Sequence, residues 1–438
     1  MLTAKPSIIL NNFKKLTPSP SWSFSEFQRT QTTMMSHSYH RYPAKFIPQL
    51  VYKLVDKYTN EGDTVCDPFG GCGTTLVQSK MSGRKSIGFD INPIAKLITD
   101  TKTRAINPVK LIVARELFVK KYSQLKKTKK GVKHNDRVYY WFDKKIVYKL
   151  DIIYASILSV KDVEARRFFL CAFSHILKNC SRWLMKSIKP TIDQDKEFPD
   201  PEQSFLRHLD SMIKKNELFF NSLKESGRLN IPAKMKLWNS TKKLPLKDKS
   251  IDLIVTSPPY VTSYEYADLH QLSLLWFGDD KKHFKNWDKV VEGFLDFKKQ
   301  FIGSSHKKVA HNEFRSRIAE DIVKKLELEN RSLSQSVAGY FDDMKLAFSE
   351  MYRILKKGKK ACVIIGNTEL LSVPILNAQV ATEQMINIGF TKSKLIKREV
   401  SNKMITPWRD KETGKFTGHD NPSKKRAYEY EYVLLMEK

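Results

Sequence analysis

Cysteine is scarce in this chain. There are five in 438 residues (Cys66, Cys72, Cys171, Cys180 and Cys362), and none falls at a spacing that would hold a metal ion. Their apolar neighbours suit reduced, buried thiols and argue against a disulfide-stapled secreted domain. No Pro-Cys dipeptide occurs, which removes the nucleophile expected of enzymes that methylate cytosine at ring carbon 5. Long apolar runs are also missing. Ile8-Ile9-Leu10 is too short for a signal peptide, and nothing approaches the ~18 apolar residues of a membrane span. The expectation is a soluble, cytoplasmic protein. Acidic residues are few, 47 against 77 Lys and Arg, leaving a formal charge of +30. Such an excess attracts a polyanion and makes its binding salt-dependent, so nucleic acid is the expected partner.

The organisation is uneven along the chain. Residues 1 to 36 are polar, with Pro18, Ser19 and Pro20, and read as a loosely held arm. From His37 the pattern becomes helix, strand, glycine turn, helix, strand. Leu50, Leu54 and Val55 mark a first helix, Thr64-Val65-Cys66 a strand, Thr74 to Ser82 a helix, and Ser86 to Asp90 a second strand. Between 105 and 234 the repeats at Val109 to Leu125, Asp143 to Leu158 and Asp162 to Leu177 are helical and mark an insertion. The alternation resumes at Met235 and passes through the strand Ile251 to Thr256. A second insertion, 262 to 335, is rich in Lys, His and aromatics. Tyr340, Met344, Ala347, Met351 and Leu355 form one helix stripe, Ala361 to Ile365 a strand, Ala378 to Ile388 a helix, and Tyr430 to Leu435 the last strand. This predicts an α/β doubly wound, mostly parallel sheet formed by 37–104 and 235–438, carrying helical insertions.

Two motifs carry chemistry. Asp67-Pro68-Phe69-Gly70-Gly71-Cys72-Gly73-Thr74-Thr75 is a glycine turn between a strand and a helix, where backbone approaches a ligand and helix N–H groups face it. Asp67 is placed to accept from a ligand ammonium, Gly71 and Gly73 to make room, and Phe69 to cover. About 20 residues on, Asp90 ends the next strand, where a carboxylate takes ribose hydroxyls. The third glycine of Gly-x-Gly-x-x-Gly is replaced by Leu76, and no P-loop lysine follows. The second motif is Ser257-Pro258-Pro259-Tyr260. Ser257 and the Pro258 carbonyl are acceptors able to hold the two N–H bonds of an exocyclic amine, whose delocalised lone pair makes it a poor nucleophile. Pro258 and Pro259 stiffen the loop, and Tyr260 offers a ring on which an extruded base can stack. Together the motifs read as methyl transfer from S-adenosylmethionine to a base amino group.

His40-Arg41-Tyr42-Pro43-Ala44-Lys45-Phe46-Ile47-Pro48, with the two motifs above, resembles the bacterial DNA amino-methyltransferases of restriction–modification systems. The resemblance covers 37–100, 235–278 and 340–400. It implies a Rossmann-like methyltransferase fold, S-adenosylmethionine as cofactor, double-stranded DNA as substrate and a cognate restriction endonuclease as a possible partner. It also implies contacts from Lys45, Phe46 and Thr74, and from Asn239 where the family usually has an acidic adenine contact. A leading serine goes more often with N4-cytosine, and Asp or Asn with N6-adenine. The helix element and cofactor turn precede the catalytic strand here, the reverse of the usual order in serine-type enzymes, which implies circular permutation.

Target reading is expected from the insertions. The first offers Arg166, Arg167, Lys178, Asn179, Arg182, Trp183, Lys186 and Lys189. The second offers Tyr264, Tyr266, His270, Lys281, Lys282, His283, Lys285, Lys307, Lys308, Arg315 and Arg317. Trp238 and Trp276 read as core. Methylation of RNA or of a protein amide, and a non-catalytic recognition subunit, remain alternatives.

Overall fold

The computed structural model describes residues 5–438, except 44, 129, 262–266, 281, 305, 307–312, 401–407, 412–416, 419 and 427–429. Seven strands make one sheet: β1 (Thr64–Asp67), β2 (Lys85–Asp90), β3 (Ala233–Leu237), β4 (Ile251–Thr256), β5 (Leu355–Ile365), β6 (Thr391–Glu399) and β7 (Tyr430–Glu437). Their spatial order is 3-2-1-4-5-7-6, with β7 antiparallel to both neighbours and every other pairing parallel. This is the mostly parallel α/β sheet that the sequence predicts.

The central strands alternate their side chains between two cores. Val65, Leu253, Val255, Cys362 and Ile364 face the helix Pro48–Tyr58, which buries Leu50, Val51, Leu54 and Val55. Cys66, Ile254, Ala361, Val363 and Ile365 face the other layer, made by the helices Arg317–Glu329, Arg331–Ile354 and Asn377–Ile388. All five cysteines are buried and free, as their apolar neighbours require.

Three expectations change. Residues 6–24 are folded: Ile9 and Phe13 enter one sheet core, Trp22 and Phe24 the other, and Ser19 N–H donates to Lys397 O at 2.9 Å. Leu355 ends the predicted helix stripe but starts β5, because the helix stops at Ile354. The two insertions also share a core. Trp276 and Phe277 pack on Phe173, while His134 bridges Asp151 at 2.8 Å and Asp279 at 3.1 Å. The helix Arg317–Glu329 belongs instead to the sheet layer, burying Ile318, Ile322 and Leu326 there. Among the described residues no helix is long and apolar enough to cross a membrane.

Candidate active site

β1 and β4 are direct neighbours, with Val65 beside Leu253 and Cys66 beside Ile254. From β1 the chain crosses to β2 on one side, whereas β4 leads to β5 on the other. That divergence opens a crevice at the carboxyl ends of the two strands, the usual ligand position in open α/β sheets. The glycine turn leaves β1 there and the Ser-Pro-Pro-Tyr loop leaves β4 there. They line a single cavity, with Phe69, Gly71, Thr74 and Asp90 from one side and Ser257, Pro258, Pro259 and Tyr260 from the other. Lys45, Phe46 and Asn239 complete the part of the wall drawn from the expected residues.

The glycine turn is held by bonds on nearly every peptide. Gly71 N–H donates to Asp90 Oδ2 at 3.1 Å, Thr99 Oγ1 donates to Gly71 O at 2.9 Å, and Lys102 Nζ donates to Cys72 O at 2.6 Å. Gly71 sits at φ +47, where a Cβ would meet the Tyr42 hydroxyl at 3.1 Å. Gly73, at φ +73, caps the helix Thr74–Met81 but does not line the cavity. A Cβ there would lie 2.5 Å from Thr99 Cγ2, so this glycine serves the turn itself.

The two carboxylates differ in position. Asp90 borders the cavity, with Oδ1 accepting from Asn92 N–H at 2.8 Å and Oδ2 from Gly71 N–H. Burial pushes its carboxyl up to about 6 against the pull of those backbone donors. Asp67 does not line the cavity. Its Oδ1 accepts from Phe69 N–H at 3.0 Å and from the Thr256 hydroxyl at 2.6 Å, so it ties the glycine turn to the end of β4. Burial likewise raises it to about 6, with Thr256, Thr75 and Phe69 pulling the other way. Lys45 donates to His37 O at 2.8 Å. Burial, with Lys102 nearby, lowers its ammonium to about 8.

Residues 6–100 match the family model described as DNA methylase. The chain is 25% identical over 424 residues to the Type II methyltransferase M.MvaI of Kocuria varians, covering 90% of each protein. The chain is thus similar along most of its length to a protein named a Type II methyltransferase. It is also 25% identical over 423 residues to the Type II methyltransferase M.BsoBI of Geobacillus stearothermophilus, covering 82% of this chain and 79% of that one. A short stretch of 43 residues, 10% of each chain, is 54% identical to the Type II methyltransferase M.BamHI of Bacillus amyloliquefaciens.

The cavity also has walls that were not among the expected site residues. Trp238 is 40% exposed and borders the cavity, contrary to its reading as core, while Trp276 is buried as expected. Its position directly after β3, at a carboxyl strand end, is the signal that could have found it. Tyr42, Ser240, Gln300, Phe301 and Ile302 line it too, the last three from the second insertion. Asn239 Oδ1 accepts from both Thr241 N–H and Thr241 Oγ1, which fixes its amide. Among the expected base-reading residues, Trp183 and His270 are interior: Trp183 Nε1 donates to Ser187 O, and His270 Nδ1 pairs with Asn92. Lys178 and Arg182 bond to backbone carbonyls of their own body. Tyr264, Tyr266, Lys281, Lys307 and Lys308 lie outside the described residues.

Proposed function

We propose that this chain transfers a methyl group from S-adenosylmethionine to the exocyclic amine of a base extruded from double-stranded DNA, and that the base is cytosine, methylated at N4. The observation that carries this reading is the single cavity lined by both the glycine turn and Ser257 to Tyr260. The residues fit the cofactor: Asp90 borders the cavity as an acceptor for hydroxyl donors, and Gly71 lets the Tyr42 ring close in beside the turn at the cavity wall. Bound there, the cofactor supplies an electrophilic methyl sulfonium.

Of the residues that line the cavity, Asp90 would hold the ribose hydroxyls, Phe69 would cover the ligand and Thr74 would meet it, while Lys45 and Phe46 would contact its methionine part and Asn239 its adenine. Asp67 acts from behind the turn as a fixed negative charge near the ligand cation and as the brace between the two loops. Ser257 and the Pro258 carbonyl accept the two N–H bonds of the target amine. They favour a more tetrahedral nitrogen and aim its lone pair, so the gain is made at the transition state. The proton shed by the methylated amine leaves along those bonds to solvent. Tyr260 stacks on the extruded base.

The choice of cytosine rests on the leading serine, Ser257. Double-stranded DNA should be incubated with protein and methyl-labelled cofactor, and its nucleosides read by mass spectrometry. Labelled N4-methylcytosine is the expected product. N6-methyladenine alone would overturn the base assignment, and no labelled base would overturn the activity. A cognate restriction endonuclease belongs to the same proposal, as the protein against which such methylation would guard the DNA.

A further inference from the structure

The stacking role proposed for Tyr260 uses only the face of its ring, yet its hydroxyl is bonded. It donates to Glu431 Oε1 at 3.2 Å. Glu431 stands near the start of β7, and its other oxygen, Oε2, accepts from Arg398 Nη1 at 2.8 Å. Arg398, near the end of β6, is 3% exposed. Its Nε donates to Trp22 O at 2.8 Å and its Nη2 to Ser23 O at 3.3 Å. The Phe24 ring lies 5.9 Å from the guanidinium carbon. Trp22 is held in turn, with Lys53 Nζ 4.5 Å over its ring and bonded to Ser21 O. One line of contacts thus runs from residues 21–24 through β6 and β7 to the loop after β4.

A stacking ring is useful only if its plane is fixed before the base arrives, because ordering it during the reaction costs rate. Backbone rigidity from Pro259 fixes the Cα of Tyr260 but leaves two side-chain torsions. A bond at the far end of the ring pins the phenolic oxygen and so fixes the first torsion; it steers the second only through the preference of the phenolic O–H for the ring plane. A carboxylate is a strong acceptor for this purpose, and a buried guanidinium whose Nε, Nη1 and Nη2 are all bonded keeps it from swinging to solvent. We propose that Glu431, held by Arg398, is a positioning residue that fixes where the Tyr260 ring sits for the extruded base, and that residues 21–24 complete this part of the active site. The inference rests on the stacking reading given above.

The test uses the full chain and compares Tyr260→Phe, Glu431→Ala, Glu431→Gln and the Tyr260→Phe/Glu431→Ala pair. The readouts are kcat, cofactor Kd, thermal midpoint and the fluorescence of 2-aminopurine at the target position. Tyr260→Phe removes a single oxygen and should fold as the parent does. It and Glu431→Ala are each expected to lower kcat roughly tenfold, the worth of one charge-assisted hydrogen bond. Cofactor Kd should stay within about twofold, and the pair should be no worse than the weaker single variant, as for one shared interaction. Glu431→Gln keeps an oxygen and an amide to serve both neighbours and should recover most of the loss. Wild-type kcat and 2-aminopurine signal in Tyr260→Phe, or losses that multiply in the pair, would overturn the tether. If the parent protein methylates no DNA, the stacking reading fails separately. The tether is then judged by the NMR line shape of the Tyr260 ring, and no change between parent and Glu431→Ala would overturn it.

Discussion

Ser257 and Asp90 are separable by what their replacement removes. Ser257→Ala deletes an acceptor that acts on the reacting amine, so DNA and cofactor affinities should survive while kcat falls, by roughly two orders of magnitude. Single-turnover methylation with separately measured Kd values checks this, and wild-type turnover would remove Ser257 from the mechanism. Asp90 is better probed by pH. Its carboxyl and that of Asp67 both sit near 6 because burial disfavours their charge. The protonated forms therefore contribute stability below the ordinary carboxylate pKa, and that contribution is lost as pH rises through about 6. A cationic ligand with hydroxyl donors favours the ionised forms instead. Cofactor affinity should accordingly rise from about pH 5 to about pH 7, with protons released on binding near pH 6. Calorimetry in buffers of different ionisation enthalpy counts those protons, and Asp90→Asn should remove part of the release. At this scale the meeting of Asp90, Ser257 and Tyr260 at one cavity was legible because all three stand at or just past carboxyl ends of strands. The inward turn of Asp67 was not, since its partner Thr256 lies 189 positions away.

At the scale of elements, the glycine turn and its following helix stand or fall on Gly73. Gly73→Ala brings a Cβ to 2.5 Å from Thr99 Cγ2 at a φ of +73. The expected loss is about 1–3 kcal/mol of stability, measured by urea denaturation. Cofactor binding should weaken as well, because a shifted Thr99 releases the Gly71 carbonyl it bonds. A variant as stable as the parent would show that Thr99 moves aside freely. Strands β1, β2, β4 and β7 and the second half of β5, from Ala361, were readable because each carries a short apolar run, whereas the basic first half of β5 was not. The polar segment 6–24 was not. Its buried apolar side chains, Ile9, Phe13, Trp22 and Phe24, are spaced too irregularly to announce two separate cores. Leu355 fits a helix period and a strand start equally well, and only the pairing of Ile251 with Leu355 decides between them.

For the molecule as a whole, His134 is the latch between the two insertions. Burial opposes its charge, but the hydrogen bonds it donates to Asp151 and Asp279 prevail and raise its imidazolium to about 9. A base raised in this way stabilises the fold fully below its ordinary value of 6.5, and that contribution fades as pH climbs to about 9. The thermal midpoint should fall across that window, and His134→Gln should flatten the fall. An unchanged slope in the variant would assign the pH dependence elsewhere. The formal charge of +30 gives a second test at this scale. DNA affinity should drop steeply between about 50 and 200 mM salt, as expected when several phosphates are neutralised. A flat response would argue against an electrostatic DNA surface. The shared core of the insertions was hidden because no local pattern says which two amphipathic bodies meet.

The bond from Arg398 to the carbonyl of Trp22 joins residues 376 positions apart. At a synthesis rate of about 5–20 residues per second, Trp22 leaves the ribosome some 20–75 s before its partner exists. A nascent chain already holding Asp67, Asp90 and Ser257 still lacks the strands that brace Tyr260. The oldest and the youngest parts of the polypeptide must find each other before the ring is fixed, so the finished site is a late event in the life of each molecule.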